Sequence, residues 1–260
     1  AEKLLNLVDR QMVIDLAVEM INTPSATGEE GDMARVLERM LKEVGCSTHL
    51  QNIYDDRYNS IGRLSGSGNG PKVLMSGHMD TSVSGNEDYL VGKGWKNHAV
   101  VESDRIYGNG IMNMKNALVS YIAGLDALRR AGIKLPGDLI IAGTAGEIEM
   151  APVDEFQGKH YHGYGMGMRF MLIHGVTADY HFLGEPSGQT PSTGMMGTTW
   201  AKVTTYGDFS HSAFEERSLS AIDEMWLLWH ELTGWIADFK KNNTYAGVVP
   251  SVNRACLRGG

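Results

Sequence analysis

PKVLMSGHMDTS, residues 71–82, joins a short apolar run to a histidine and an aspartate that stand two positions apart. A run of this length with polar residues at both ends is typical of a buried strand. His78 and Asp80 then fall where that strand ends. The pair is either an ordinary polar loop or part of a metal site, and the rest of the chain has to distinguish these interpretations.

Helical and strand patterns alternate on both sides of this stretch. Apolar runs predict two further buried strands, at 137–147 and 178–186. Amphipathic periodicity predicts helices at 9–21, 28–45, 114–132 and 165–175. Apolar strands separated by helices indicate an α/β fold, with a mostly parallel sheet and helices on both faces.

Polar groups follow each of the three predicted strands. His78 and Asp80 end the first, Glu147 the second and Glu185 the third. In sheets of this kind, ligands bind at the carboxyl ends of the strands, which share one edge. The sequence therefore predicts a single site formed by these side chains.

The pattern changes after residue 188, where a Gly/Ser/Thr-rich passage follows. Alternation predicts a half-buried strand at 198–208, and a long amphipathic helix opened by a serine follows at 218–241. The end of the chain, 247–260, again has a strand-like pattern. We therefore predict one domain over 1–188 and a smaller α+β domain over 189–260.

Composition excludes several classes of protein. The chain has 260 residues, 42% of them hydrophobic, and a net charge of −8, which argues against nucleic-acid binding. No apolar run approaches the roughly 18–20 residues of a membrane span, and no signal peptide is visible. Two cysteines without a spacing motif suit a reducing cytoplasm. Because the chain starts at Ala1, a processed or trimmed start stays open.

Five motifs stand in one order along the chain: SGHMDT at 76–81, YGNGIMNMKNAL at 107–118, TAGEIE at 144–149, FLGEPSG at 182–188 and GDFSHSAFEERSLSAI at 207–222. This order resembles the aminoacylase, acetylornithine deacetylase, succinyl-diaminopimelate desuccinylase and carboxypeptidase G family of metal-dependent amidohydrolases. The resemblance implies a zinc-exopeptidase-like catalytic domain over 1–188 and a lid or dimerisation domain over 189–260.

The resemblance also implies a role for each site residue. His78 stands at a metal-binding histidine, and Asp80 at the carboxylate that orients its imidazole through the other ring nitrogen. Glu147 stands at the general base that activates the attacking water. Glu185 matches the carboxylate that shares a metal with His78, and His211 matches the histidine that stabilises the oxyanion.

Departures from the family pattern affect the second of its two zinc ions. Asn113 stands where the family has a bridging aspartate, and a neutral amide oxygen bridges two dications poorly. It is either a weak third ligand or the N-cap of the following helix, and both can hold. Ile148 stands where the family has a second glutamate. Glu149 could move in, although its direction in the strand or turn would be reversed. His160 or His162 could also replace lost ligands, or their loop could instead shape a substrate pocket or a subunit contact.

These departures predict one divalent ion, zinc, held by His78, Glu185 and Asn113. The predicted function is metal-dependent hydrolysis of an amide in a small N-acyl amino acid or related carboxylate. Two rivals stay open: an inactive ligand-binding or structural relative, and an enzyme that uses the pocket without metal. An engineered Asp-to-Asn change at 113 would also fit.

The family's last metal histidine lies beyond the end of this chain, in a return to the first domain. We therefore expect both domains to be incomplete, with the chain a fragment or completed by another polypeptide. A sheet edge left open by missing strands would invite pairing. The expected partners are a small amide substrate and a homo-oligomer or complementing chain, with no nucleic acid and no membrane.

Overall fold

The computed structural model describes residues 2–148, 163–188, 190–192 and 194–258. The chain divides into two compact units, Ala1–Pro191 and Ser192–Gly260. Three predicted substitutes for lost ligands, Glu149, His160 and His162, lie outside the described residues.

The first unit contains helices and strands in alternation. Its helices are α1 Glu2–Leu5, α2 Arg10–Asn22, α3 Gly31–Glu43, α4 Asn116–Arg130 and α5 Met166–Ile173. Its strands are β1 Ser47–Tyr54, β2 Arg57–Leu64, β3 Val73–His78, β4 Val100–Glu102, β5 Arg105–Tyr107, β6 Leu139–Thr144 and β7 Tyr180–Leu183. All four helices predicted in this region and all three strands are present.

The main sheet has five strands in the order β1-β2-β6-β3-β7. Strand β3 pairs in parallel with β6 and with β7, and His78 lies opposite Thr144. Strand β2 runs antiparallel to β1 and to β6, so a hairpin that the sequence analysis missed completes one side. The three parallel strands end at one edge, as predicted, and the α/β fold class is confirmed.

Helices cover both faces of the sheet. On β6, Ile141 packs into the larger core with α2, α3 and α4, whereas Ile140 and Ala142 face the opposite side and pack with Met171 of α5. This alternation is the period-two geometry of a strand. The apolar run of β6 is therefore buried on both faces, which explains why it lacks alternation in the sequence.

Strand β7 differs from its prediction. The sequence predicts a buried strand at 178–186, but all four residues of β7 are exposed. Among the strands of the described residues it stands last in the sheet order and pairs with β3 alone. An apolar run can form an edge strand as readily as a central one, so the prediction of burial was wrong.

Lys115, which had no assigned role in the sequence, is almost fully buried. Its Nζ donates to the main-chain oxygens of Met20 at 2.7 Å and Thr23 at 3.1 Å, at the end of α2. Burial lowers the pKa of Lys115 to about 7, and the charge of Asp80 opposes that shift. The lysine thus satisfies helix-end carbonyls, a position that favours a cation.

The second unit contains a 3₁₀ segment, Ser212–Arg217, and one long helix, α6, Ala221–Asn242. Ser220 caps α6 by accepting the N–H of Asp223 at 3.2 Å, two residues after Ser218, the serine that opens the predicted helix. The strands predicted at 198–208 and 247–260 are not formed in the described residues, apart from an isolated Tyr245–Val248 bridge. A half-buried strand needs a neighbour to pair with, and these segments have none there.

None of the residues of α6 is buried, and Trp226 and Trp235 are more than half exposed. Both tryptophan side chains are therefore largely open to solvent within the unit. Among the described helices, none has the length and apolar content that crossing a bilayer requires.

The two cysteines are expected to differ sharply in reactivity. Cys46 is buried in the main core, and burial raises the pKa of its thiol to about 11, whereas Cys256 is exposed. Because the thiolate is the reactive form, native protein should react with a thiol reagent at one site per chain and denatured protein at two. Rapid labelling of Cys46 in native protein, located by peptide mapping, would contradict this burial.

Candidate metal centre

Side chains from three strand ends converge on one ring nitrogen. Nε2 of His78, at the end of β3, lies 3.6 Å from Oε1 of Glu185 and 3.7 Å from Oε2 of Glu147. Ligand atoms of these three residues lie within 4.8 Å of one another. His78 is 1% exposed, whereas both carboxylates are partly open to solvent. The structure thus brings together the three strand-end groups that the sequence placed on one edge.

The other contacts of His78 determine which ring nitrogen carries a proton and what Nε2 can bind. Nδ1 lies 2.9 Å from the main-chain oxygen of Asp80, and a carbonyl can only accept, so Nδ1 carries a proton. Nε2 lies 2.9 Å from Oδ1 of Asn113, which is also an acceptor. A bare Nε2 lone pair would face this oxygen and two carboxylates unfavourably. With Asn113 in this orientation, the geometry favours a proton or a metal ion at Nε2.

The electrostatics of the cluster favour added positive charge. Burial alone lowers the pKa of His78, but Asp80, Glu147 and Glu185 outweigh it and raise the pKa to about 9. Burial raises the pKa of Glu185, with His78 opposing the shift and Asp80 adding to it. The same negative surroundings that stabilise a proton on Nε2 also favour a divalent cation there. The cation and the proton compete for this nitrogen.

Asp80 lies on the Nδ1 side of His78, as expected, but its main-chain oxygen is closer to the imidazole than its carboxylate is. The 2.9 Å contact of Nδ1 is with the main-chain oxygen of Asp80, while carboxylate Oδ1 is 3.5 Å away. We take the carbonyl as the hydrogen-bond acceptor and the carboxylate as a nearby charge. Thr27 donates to that carboxylate at 2.9 Å, and the N–H groups of Glu147 and Ile148 donate at 3.1 Å. Burial raises the pKa of Asp80, but His78 and these N–H groups bring it below its usual value.

Asn113 does not cap α4. It lies inside the Ile111–Lys115 turn with φ −126° and ψ 100°, and the helix begins three residues later at Asn116. The N-cap hypothesis is therefore wrong. Its exposed side chain instead directs Oδ1 toward His78, at 2.9 Å. Asn113 is thus a fourth oxygen donor at the cluster, and its part in holding a metal stays a prediction.

Two glycines allow the strand ends to approach each other. Gly146, directly before Glu147, has φ +66°, a left-handed conformation that costs little only for glycine. At Gly184, directly before Glu185, a Cβ atom would lie 2.3 Å from Cβ of Ala117 and 2.5 Å from the hydroxyl of Tyr121. A side chain at either position would displace the carboxylate that follows.

Two residues that the sequence singled out remain, His211 and Ile148. His211 is in the second unit, where its Nδ1 accepts the N–H of Ala213 at 3.1 Å. Its role at the site stays a prediction. Ile148 has no ligating side-chain atom, and its N–H donates to Asp80. In the described residues no second carboxylate takes the position that Ile148 holds.

Sequence reasoning missed the polar residues that support the turn at 145–148. Asn59 and Glu30 are fully buried, and their oxygens accept the N–H groups of Ala145 and Gly146, each at 3.1 Å. Glu30 directly precedes α3, and its buried partner Arg57 lies on the hairpin that the sequence did not predict.

The donor chemistry fits one divalent ion. Imidazole nitrogen and carboxylate oxygen are ordinary zinc ligands, and the site contains one of the former, two of the latter and a neutral amide oxygen. A parallel α/β sheet with such a cluster at the carboxyl ends of its strands has the architecture expected of zinc exopeptidases.

Comparison with known proteins identifies the family. Residues 74–220, more than half of the chain, match the family described as Peptidase family M20/M25/M40, so the chain belongs to this family. Succinyl-diaminopimelate desuccinylases from two strains of Ehrlichia ruminantium, Gardel and Welgevonden, are 26% identical over 227 residues. That alignment covers 82% of this chain and 55% of each relative, so the chain spans about half the length of these proteins.

Solved structures support the fold. A tripeptidase from Staphylococcus aureus Mu50 has a TM-score of 0.54 at 16% identity, covering 84% of this chain and 55% of that one. The aminopeptidase PepT from Bacillus cereus has a TM-score of 0.52 at 15% identity, covering 92% and 58%. The family resemblance drawn from the five motifs is confirmed, as is the α/β architecture of the sheet.

A carboxylate at position 113 is expected to tighten metal binding. Asn113→Asp replaces a neutral oxygen 2.9 Å from Nε2 of His78 with a charged one, so zinc affinity should rise about tenfold or more. Zinc titration against a competing chelator measures this. Asn116→Asp adds the same charge three residues away and serves as the control. An equal rise in both variants would mean that only net charge matters.

Proposed function

We propose that this chain carries the ion-binding part of a metal-dependent hydrolase that cleaves amide bonds. The observation that carries the proposal is the convergence of three oxygen-bearing side chains on Nε2 of His78. Membership of the M20/M25/M40 family supports it. The sheet edge at which the cluster lies is where ligands bind in parallel α/β folds.

His78, Glu185 and Asn113 would hold the ion, for which zinc is the proposed identity and one the proposed number. A divalent ion here supplies a Lewis acid that polarises a carbonyl and lowers the pKa of water. Glu147, partly exposed beside His78, accepts a proton from the attacking water and passes it to the leaving amine. His211 steadies the oxyanion, a role proposed from the motif around it alone.

The proposed substrate is a small N-acyl amino acid or a short peptide. The 26% identical relatives are named succinyl-diaminopimelate desuccinylase, which supports an acylated amino acid. The partly open carboxylates leave one side of the cluster accessible to a small molecule. Cytoplasmic location and homo-oligomerisation or a complementing chain stay predictions of the sequence.

One observation favours a second candidate, an inactive relative that binds a ligand at the same edge. Asn113 and Ile148 stand at two positions where the family has metal carboxylates, and neither offers a charge. The hydrogen bonds around Glu147 argue against this candidate. The N–H groups of Glu147 and of the next residue donate to buried Asp80. An inactive binding site has no evident need to fix a carboxylate that way.

The deciding experiment measures zinc per chain by mass spectrometry after dialysis, with and without prior zinc. Hydrolysis of N-succinyl and N-acetyl amino acids and of di- and tripeptides is then followed before and after chelation. We expect one zinc per chain and hydrolysis that disappears with chelator and returns with zinc. A chain that binds no zinc refutes the hydrolase proposal, and one that binds zinc without hydrolysing any substrate favours the inactive relative.

A further inference from the structure

Four consecutive N–H groups of residues 145–148 donate to buried side chains. The first donates to Oδ1 of Asn59, the second to Oε1 of Glu30, and the third and fourth to the carboxylate of Asp80, all at 3.1 Å. None of the three acceptors is more than 1% exposed. The turn that carries Glu147 is therefore held by side chains from three different parts of the chain.

The carbonyl groups of the same turn are also bonded. The oxygens of residues 145, 146 and 148 accept N–H groups from residues 167, 166 and 164, at 2.9, 3.1 and 3.2 Å. Those donors lie at the start of α5. The backbone on both sides of Glu147 thus has its donors and acceptors paired within the protein, which limits the directions in which its side chain can point.

Glu30 differs from the other two acceptors because it also forms a buried ion pair with an arginine. Arg57 donates to both of its carboxylate oxygens, at 2.7 and 2.6 Å, and the pair is at most 2% exposed. Oε1 of Glu30 also accepts the N–H of Gly28 at 3.0 Å. A buried ion pair of this kind is often replaceable by apolar residues at little cost in stability. Stability alone therefore does not account for a charged pair at this place.

We propose that Glu30, held in place by Arg57, is a positioning residue for Glu147, and that Asn59 supports the same turn. Glu30 fixes the N–H of Gly146 in its left-handed conformation and so directs the following carboxylate toward Nε2 of His78, 3.7 Å away. This inference rests on the proposed function, because it gives Glu147 a reaction to be positioned for.

Two double variants separate positioning from simple stabilisation. Glu30→Met with Arg57→Met removes the ion pair and leaves Gly146 without an acceptor. Glu30→Gln with Arg57→Met also removes the ion pair but keeps an amide oxygen where Oε1 stood. The variants match in charge and are close in volume, so a difference between them reports the hydrogen bonds that Oε1 accepts from Gly146 and Gly28, and exchange at 143–148 follows the first of these.

Hydrogen exchange tests the turn without any need for activity. Peptides covering residues 143–148 should exchange about tenfold faster in the Met/Met variant than in the Gln/Met variant, while peptides from α4 exchange alike in both. On a substrate, the Met/Met variant should lose about 10- to 100-fold in kcat with KM little changed. The Gln/Met variant should restore kcat to within about threefold of the wild type.

Equal exchange at 143–148 in the two variants would overturn the proposal, and so would an equal loss of kcat in both. If the wild type hydrolyses nothing, the proposed function fails, while the exchange data still decide whether Glu30 fixes the turn. If the Met/Met variant does not fold, Asn59→Leu removes the neighbouring acceptor. Unchanged exchange at 143–148 in that variant likewise overturns the proposal.

Discussion

Replacing His78 with alanine is expected to weaken zinc binding by at least about 100-fold. Its Nε2 is the one nitrogen donor among the residues that converge at the site, and Asn113, Glu147 and Glu185 are all arranged around it. Without it, two carboxylates and a neutral amide oxygen are left to hold the ion. Zinc content after dialysis and competition with a chromophoric chelator both measure the loss.

The control for this experiment is His49→Ala, which removes an exposed histidine of β1. It should bind zinc as the wild type does. Circular dichroism establishes that both variants fold, because His78 is buried and its removal leaves a small cavity. Full zinc retention by folded His78→Ala protein would mean that the ion binds elsewhere, and the site proposed above would be wrong.

Glu147→Gln is expected to lower kcat by about 10²- to 10⁴-fold, because the amide keeps the shape of the side chain but cannot accept a proton. KM and zinc content should change little if Glu147 acts on water rather than as a principal ligand. Glu102→Gln, at an exposed glutamate of β4, is the matched control and should leave kcat unchanged. A parallel loss of zinc in Glu147→Gln would reassign this residue as a metal ligand.

The centre of the site was predictable because of where its residues stand in the sequence. His78, Glu147 and Glu185 each follow a short apolar run, and the rule that parallel strands end at one edge was enough to bring them together. The same reasoning gave the wrong burial for β7, since hydrophobicity does not say whether a strand has one neighbour or two. It also left open whether Asn113 caps α4, because the sequence does not show that the helix begins three residues later, after the Ile111–Lys115 turn.

The buried polar residues that hold the site in place could not be predicted, and the reason is different. Strand β2 buries polar residues, among them Arg57, Asn59 and Ser60, so it lacks the apolar pattern by which a buried strand is identified. The partner of Arg57 lies 27 residues earlier. Pairings of this kind depend on the folded arrangement and leave no local pattern. The strand predicted at 198–208 is not formed. Alternation indicates that a segment can be a strand, but it does not show whether a second strand is there to pair with it.

The outermost position of β7 has a consequence for how long an ion stays bound. This strand leads directly to Glu185, yet within the part of the chain that the structure describes it pairs only with β3. Strands with so little protection open more often than central ones. Each opening would withdraw Glu185 while His78 stays on β3, which also pairs with β6. The residence time of the ion is therefore expected to follow the opening rate of β7, and a neighbouring strand that pairs with it would slow metal release without adding a ligand.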